Sequence, residues 1–162
     1  IVERMQKDPL YTAMSKEAYE REPDAFVITR AIACFERSLI SGNSRFDQYE
    51  FQGKKSALTE LELEGKDLFF SDRAKCSTCH NGFNFTNYSF ENNGLVIQYP
   101  DSGRFRFTAL EEDRALFKVP SLRNIGFTAP YMHNGSLTTL EEVIDHYSKG
   151  IKPHKNLLTT SP

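Results

Sequence analysis

The residues best suited to chemistry lie within one pentapeptide, Cys76-Ser77-Thr78-Cys79-His80. Two thiols one helical turn apart can add to the two vinyl groups along one edge of a porphyrin, and the imidazole that follows directly can reach the iron. The CxxCH spacing therefore predicts covalent haem attachment through Cys76 and Cys79, with His80 as the proximal ligand of the iron.

A zinc site, a redox pair and a chance spacing are the alternatives to haem attachment. A tetrahedral zinc site needs a second pair of Cys or His ligands, and the third cysteine, Cys34, is isolated far upstream. A thioredoxin-like redox pair should follow a strand and open a helix, whereas a helical pattern precedes Cys76. Two cysteines can also fall three apart by chance in a reducing compartment. Haem attachment fits the spacing and the adjacent histidine best.

Haem iron held by His80 on one face can bind a second protein side chain on its other face. The candidate side chains, in chain order, are Met132, His133, His146, Tyr147 and His154. On the predicted last helix, Tyr147 shares the apolar face where a porphyrin would lie, whereas His146 is rotated ~100° from it. Met132 stays a rival because a thioether is the usual partner of histidine in electron-carrying cytochromes. The alternative for Tyr147 is a core tyrosine whose hydroxyl bonds a carbonyl.

Helical patterns precede the cysteine pair. Apolar residues three and four apart predict a helix over 24–39, after two shorter helical patterns that Asp8-Pro9 separates. A second helix begins at Thr59, whose hydroxyl can accept from the amide of Glu62 while that carboxylate reaches back. The residues expected to face inward from this helix are Leu61, Gly65, Leu68 and Phe69. The helix leads directly into the cysteine pair.

A long segment without helical or strand periodicity comes after the cysteine pair. Residues 81–120 are rich in Gly, Asn, Asp and Phe, and a compact domain rarely carries so long an irregular segment unless it wraps something. The last helix is predicted from a cap at Thr138, with Glu141 completing the capping box, to a stop at Gly150. Its inner face is predicted to hold Leu140, Val143, Ile144 and Tyr147. We therefore expect residues 81–120 and the 138–149 helix to cover the haem.

Composition excludes several classes of function. The 162 residues carry 20 Lys+Arg against 22 Asp+Glu, and a net charge of −2 provides no attraction for nucleic acid or an anionic membrane. No apolar stretch approaches the ~20 residues that a membrane-spanning helix needs. Residues 1–10 lack the pattern of a signal peptide. We expect a soluble domain, and the abrupt ends of the chain suggest a piece of a longer protein.

Five further segments carry motifs. They are IACFERSLISG at 32–42, GKDLFF at 65–70 ahead of CSTCHNG, FKVPSLRN at 117–124, TAPYMHNGS at 128–136 and TLEEVIDHY at 139–147. Together they resemble the C-terminal haem domain of the bacterial di-haem cytochrome c peroxidase and MauG family, over roughly residues 25–150. The resemblance implies an all-α, class I cytochrome c-like domain at 58–162, truncated at its end, after a helical connecting segment at 1–57.

The resemblance also implies a function. Family members reduce hydrogen peroxide to water with electrons from a small cytochrome c or cupredoxin. This domain would deliver those electrons to a peroxide-binding haem on an N-terminal domain whose CxxCH is absent here, so the fragment alone is expected to be inactive. A MauG-like oxidase and a simple electron-transfer module are the alternatives. Haem attachment implies maturation in the bacterial periplasm or cell envelope, and a second copy of the chain is a further candidate partner.

Individual residues follow from the same resemblance. Fourteen positions after the histidine of PYMHNG the family carries its distal ligand, methionine in peroxidases and tyrosine in the MauG-like branch, which here is Tyr147 and leaves Met132 second. A calcium ion between the two haem domains would use main-chain carbonyls matching Thr128 and Pro130. Separately, guanidinium suits carboxylate binding, and Arg123 is the arginine predicted to pair with a haem propionate. The other candidates for that contact are Arg104, Arg106 and Arg114.

Overall fold

The computed structural model describes residues 1–158, which form short helices joined by irregular segments. The chain divides into two compact units, residues 1–42 and the residues from 43 onward. None of the helices in the described part of the chain combines the length and apolar character that a membrane crossing requires.

The first unit contains three helices, α1 (Val2–Gln6), α2 (Pro9–Tyr19) and α3 (Ala25–Ser38). Asp8 caps α2 by accepting a hydrogen bond from the Leu10 amide at 2.9 Å, and Asp24 caps α3 by accepting from the Val27 amide at 2.8 Å. A short polar side chain at this position satisfies amides that have no partner within the helix. The predicted helix starts are therefore confirmed.

The apolar stripe of α3 lies at the surface of this unit. Ile32, Phe35 and Leu39 are exposed, while Val27 is buried. The connection between α2 and α3 is held by the Gln6 amide, which donates to the carbonyl of Pro23 at 2.8 Å. The unit thus buries the N-terminal turn of α3 and leaves its later turns uncovered.

Up to residue 158, the second unit contains four α-helices and one pair of two-residue strands. These are α4 (Arg45–Glu50), α5 (Glu60–Phe69), α6 (Phe105–Thr108), α7 (Leu140–Asp145), β1 (Phe90–Glu91) and β2 (Phe117–Lys118). The strands are antiparallel, with Phe90 opposite Lys118 and Glu91 opposite Phe117. Segment 81–120 is mostly irregular as predicted, but it holds the four-residue helix α6 and this strand pair, whose partners are too far apart for a local pattern to reveal.

Helices α4 and α5 are joined through Arg45. Its Nε donates to the carbonyl of Ala57 at 2.9 Å, and its two terminal nitrogens donate to the Glu62 carboxylate. Glu62 also completes the predicted capping box with Thr59, which is confirmed. These bonds place α4 with the elements that follow it, whereas the boundary between 57 and 58 stays a prediction.

The face that α5 buries differs from the predicted one. Leu61 is 75% exposed and Leu68 is 45% exposed. The ring of Phe69 instead packs edge-on against Phe85 at 6.1 Å, and Phe85 packs against Phe46 of α4 at 5.1 Å. The prediction was wrong for Leu61, Gly65 and Leu68, all exposed, because this aromatic cluster turns the Phe69 side of the helix inward.

The last helix begins one residue later than predicted. Thr139, not Thr138, is the cap, and Glu142, not Glu141, completes the box. After α7 the chain makes a π-helical turn over His146–Gly150. This wider turn carries one extra residue and changes which side chains face inward. His146, the first residue of this turn, is buried, whereas Ile144 of α7 is 68% exposed, so the predicted face was wrong for both residues.

Candidate functional site

The cysteine pair lies on a tight turn directly after α5. Residues Cys76–Thr78 form a 3-10 turn, entered through Lys75 in the left-handed conformation at a φ of 52°. The amide of His80 donates to the carbonyl of Cys76 at 2.9 Å, and both thiols are half-buried. The turn therefore presents Cys76, Cys79 and His80 from one short, internally bonded stretch of backbone.

The surroundings of the two thiols favour the protonated form. Burial raises the pKa of Cys76, and burial together with the charge of Glu91 raises the pKa of Cys79. Metal ions bind the thiolate, so raised values disfavour a metal–thiolate site. Within residues 1–158, no group of three or more His, Cys, Asp and Glu side chains is arranged to hold a metal ion. The zinc alternative therefore has no support in the described structure.

The imidazole of His80 is oriented by a main-chain carbonyl. Its Nδ1 lies 3.0 Å from the carbonyl oxygen of Phe85. Burial lowers the pKa of His80, and hydrogen bonding to the carbonyls of Phe85 and Pro120 opposes that effect. A neutral ring that donates from Nδ1 keeps the lone pair of Nε2, which is how a metal-binding histidine is prepared.

The loop that supplies this carbonyl is fastened to segment 119–123. The hydroxyl of Thr86 donates to the carbonyl of Val119 at 2.7 Å within a buried contact. The Ser121 hydroxyl donates to the carbonyl of Asn84 at 2.6 Å. Because Phe85 lies between these two attachment points, the orientation of the His80 ring depends on residues some 40 positions further along the chain.

Arg123 ends this segment in a buried ion pair. Its Nη1 and Nη2 each donate to the Asp47 carboxylate at 2.9 Å, and Nε donates to the carbonyl of Phe83 at 2.7 Å. Asp47 is 1% exposed, and the Arg123 hydrogen bonds lower its pKa to about 2. The predicted contact of Arg123 with a haem propionate gains no support, because protein acceptors already use three of its five N–H donors.

The two leading candidates for a distal ligand converge on one amide. Asn93 Nδ2 lies 3.4 Å from Tyr147 Oη and 3.3 Å from Met132 Sδ. Burial raises the pKa of Tyr147, and the Asn93 hydrogen bond lowers it.

The three remaining histidines have partners of other kinds. His133 is exposed and stacks on Phe117 with ring centroids 3.8 Å apart. His146 Nε2 donates to the carbonyl of Asn93 at 3.0 Å. His154 Nδ1 accepts from the Asn156 amide at 3.1 Å. Tyr147 and Met132 are therefore the candidates that the fold brings together.

Comparison with known proteins finds relatives in the family that the sequence motifs resemble. A family model described as di-haem cytochrome c peroxidase matches residues 1–56. The chain is 38% identical to the methylamine utilization protein MauG of Methylorubrum extorquens, over 93% of the chain and 43% of that protein. It is 43% identical to the cytochrome c551 peroxidase of Nitrosomonas europaea, over 73% of the chain and 36% of that protein.

A solved structure agrees with both relatives. A MauG-like protein associated with microbial copper homeostasis superposes with a TM-score of 0.72 at 36% identity, covering 95% of the chain and 49% of that protein. The chain belongs to the di-haem cytochrome c peroxidase and MauG family. It spans less than half the length of each of these three relatives.

Membership in the di-haem peroxidase and MauG family confirms the predicted fold class. Residues 1–158 are mostly helical and contain only two strands of two residues each. Together with the match to the MauG-like structure, this is the architecture of an all-α, cytochrome c-like domain. The family implies a haem cofactor.

Sequence patterns missed three parts of this site. Asn93 lies in the irregular segment, where no periodicity singles out one residue. The Phe85 carbonyl belongs to the backbone and carries no residue-specific signal. Asp47 follows Ser44 by three positions, a capping-box spacing that predicts a helix start but not the pairing with Arg123.

Proposed function

We propose that this chain forms the electron-transferring haem c domain of a di-haem cytochrome c peroxidase. The domain accepts electrons from a small cytochrome c or cupredoxin and passes them to an N-terminal haem domain of the same protein. There, hydrogen peroxide takes up two electrons and two protons and yields two water molecules. The observation that carries the proposal is the His80 imidazole, which directly follows the tight turn of Cys76 and Cys79 and is held through Nδ1 by the Phe85 carbonyl.

The two cysteines fit covalent attachment of haem. Each Sγ–H adds across one vinyl double bond, so that a C–S bond forms, the π bond is lost and the thiol proton moves to the second vinyl carbon. No oxidant is consumed in this addition. The tight turn holds Cys76 and Cys79 on one short piece of backbone, which suits two attachment points on one porphyrin edge.

His80 and Tyr147 are the side chains that would hold the haem iron. When bound, haem supplies a one-electron couple between ferric and ferrous iron. His80 contributes its Nε2 lone pair, and the Phe85 carbonyl fixes the ring and increases its basicity. Tyr147 contributes its phenol oxygen after losing its proton, and an anionic oxygen stabilises the ferric state more than the Met132 thioether would.

A calcium ion between the haem domains is part of the same proposal. Thr128 and Pro130 are exposed, and among residues 1–158 neither main-chain oxygen accepts a hydrogen bond. Calcium prefers oxygen ligands of this kind and needs six to eight of them. The remaining ligands would come from the N-terminal haem domain and water.

Thioether attachment also bears on where the protein acts. Haem is joined to CxxCH motifs outside the bacterial cytoplasm, so we place the protein in the periplasm or cell envelope. A haem-loaded sample should therefore be produced by export together with haem-attachment machinery. The partners proposed are the soluble electron donor and the N-terminal haem domain, with a second copy of the chain as a further partner.

The attachment sites are tested by cysteine replacement. In exported protein, Cys76→Ala and Cys79→Ala should each leave one thioether, and the double variant should lose haem on denaturation. Cys34→Ala is the matched control because Cys34 is exposed and lies outside the pair. The measurement is the mass of the denatured chain. Haem retained by the double variant would contradict the proposal.

A MauG-like oxidase is the second candidate function. The observation in its favour is a tyrosine, Tyr147, at the position where the MauG-like branch carries its distal ligand, together with the likeness to MauG. Both candidates consume peroxide, so the reductant that the full-length protein oxidises with it distinguishes them. A peroxidase reduces peroxide with a reduced cytochrome c or cupredoxin, whereas a MauG-like oxidase uses peroxide to oxidise a protein substrate. A full-length protein with one CxxCH motif and no peroxide consumption would be a simple electron-transfer module.

A further inference from the structure

The side chain of Asn93 lies between the two groups that compete for the distal side of the haem. Its Nδ2 is 3.4 Å from Tyr147 Oη and 3.3 Å from Met132 Sδ. An amide NH₂ group carries two protons and can donate to both acceptors at once. No other side chain in residues 1–158 is hydrogen-bonded to both Tyr147 and Met132.

The backbone around Asn93 is fixed independently of its side chain. The carbonyl of Asn93 accepts from His146 Nε2 at 3.0 Å. On one side, Asn92 is fully buried and its amide donates to the carbonyl of Ala115 at 3.0 Å. On the other side, Gly94 has a φ of 65°, and its carbonyl accepts from the Lys152 amide at 2.7 Å. The Asn93 amide is therefore aimed by a rigid frame that does not depend on it.

Met132 is held close to the same amide by its own turn. Its backbone is left-handed, with a φ of 71°. This conformation costs an L-residue free energy, which contacts of the surrounding turn must offset. The turn is closed by the Tyr131 amide, which donates to the carbonyl of Leu137 at 2.7 Å. The thioether is thus a neighbour of Tyr147 in the folded protein rather than a remote alternative.

A hydrogen bond from Asn93 Nδ2 stabilises the Tyr147 oxygen more than it stabilises the Met132 sulfur. A phenolate oxygen is anionic, and hydrogen bonds to ionised acceptors are roughly twice as strong as neutral ones, whereas a thioether sulfur is a weak acceptor. We propose that Asn93 is a positioning residue that, by donating from Nδ2, keeps Tyr147 rather than Met132 as the distal ligand. This inference rests on the haem domain proposed above and adds to it what selects the ligand.

Removal of the donor tests this selection in the haem-loaded protein. Asn93→Leu keeps the branched shape of the side chain and removes both N–H donors, and Asn93→Ser shortens the side chain beyond the reach of Tyr147. Both variants should lose the tyrosinate spectrum, acquire the ferric spectrum of thioether ligation and show a higher reduction potential. Asn93→Gln keeps the donor and should retain the parent spectrum.

Two further variants identify the ligand that takes over. Tyr147→Phe shows the spectrum of the site without a tyrosine oxygen. The double variant Asn93→Leu with Met132→Leu should lose the thioether spectrum that Asn93→Leu acquires. A structural disturbance alone would produce neither the thioether spectrum nor its dependence on Met132.

The outcomes separate this inference from the proposed function. The parent spectrum and potential in both Asn93→Leu and Asn93→Ser would overturn it, as would loss of tyrosine ligation with no thioether spectrum. A parent protein without covalent haem, or Tyr147→Phe with the parent spectrum, would instead overturn the haem and ligand assignments of the proposed function.

Discussion

His80 Nδ1 and the carbonyl oxygen of Phe85 are joined at 3.0 Å, five residues apart on a loop that folds back over the cysteine turn. The ring of Phe85 packs against Phe46 and Phe69, so the aromatic cluster of α4 and α5 fixes the residue whose carbonyl orients the imidazole. The position of the proximal ligand therefore depends on the packing of two helices that precede the CxxCH motif.

Replacement of His80 should separate attachment from ligation. In the His80→Ala protein, Cys76 and Cys79 remain, so some covalent haem should persist while the low-spin spectrum is lost. His133→Ala is the matched control, since His133 is exposed and stacks on Phe117. Absorption spectroscopy of both variants gives the answer, and a low-spin spectrum retained by His80→Ala would refute the assignment.

Replacement of Tyr147 should change the ferric iron most. Tyr147→Phe removes the phenol oxygen, so the ferric absorption spectrum should change and the reduction potential should rise, because an anionic ligand that stabilises ferric iron is gone. Tyr11→Phe is the control, a tyrosine of α2 in the other compact unit. Identical ferric spectra for Tyr147→Phe and the parent would rule out Tyr147 as the ligand.

The buried ion pair between Asp47 and Arg123 should contribute strongly to stability. Asp47→Asn leaves the guanidinium, only 10% exposed, without its carboxylate, and breaking a buried pair costs about 3 kcal/mol or more. Urea unfolding measures this loss. Asp145→Asn breaks an exposed pair with Lys149, and exposed pairs contribute only about 0 to 1 kcal/mol. Equal losses in the two variants would contradict the structure.

The same pair predicts a pH dependence in acid. The pKa of Asp47 falls from its usual 3.8 to about 2 in the folded protein, so the unfolded chain binds the proton more tightly. Its contribution, about 2 kcal/mol, is complete above pH 3.8 and is lost as the pH falls toward 2. The free energy of unfolding, measured from pH 5 to 2, should therefore fall less steeply in Asp47→Asn than in the parent. Parallel curves would show that Asp47 is not the group responsible.

Local patterns predicted most helix starts because a capping side chain bonds to the amide of a residue only three positions later. Asp24 and Thr59 begin helices as predicted. The sequence TTLEE contains two overlapping boxes, one from Thr138 and one from Thr139, and nothing local decides between them. The structure uses Thr139. The π-helical turn that follows breaks the helical period, which is why the burial of His146 could not be foreseen.

The contacts that build the site lie beyond the range of such patterns. Asn93 and Tyr147 are 54 residues apart, and Asp47 and Arg123 are 76 apart. The sequence predicted that segment 81–120 covers the site, but the choice of Asn93 within it follows from tertiary packing. The haem-attachment site was predictable because two thioethers on one porphyrin edge require the CxxCH spacing, which is a local pattern.

The most direct test of the central claim is a pyridine haemochrome spectrum of the exported, purified chain, recorded after denaturation and removal of free haem. Two thioethers saturate both vinyl groups, so the reduced spectrum should be that of a c-type haem with one haem per chain. A colourless chain, in a strain that loads a control c-type cytochrome, would contradict the haem assignment.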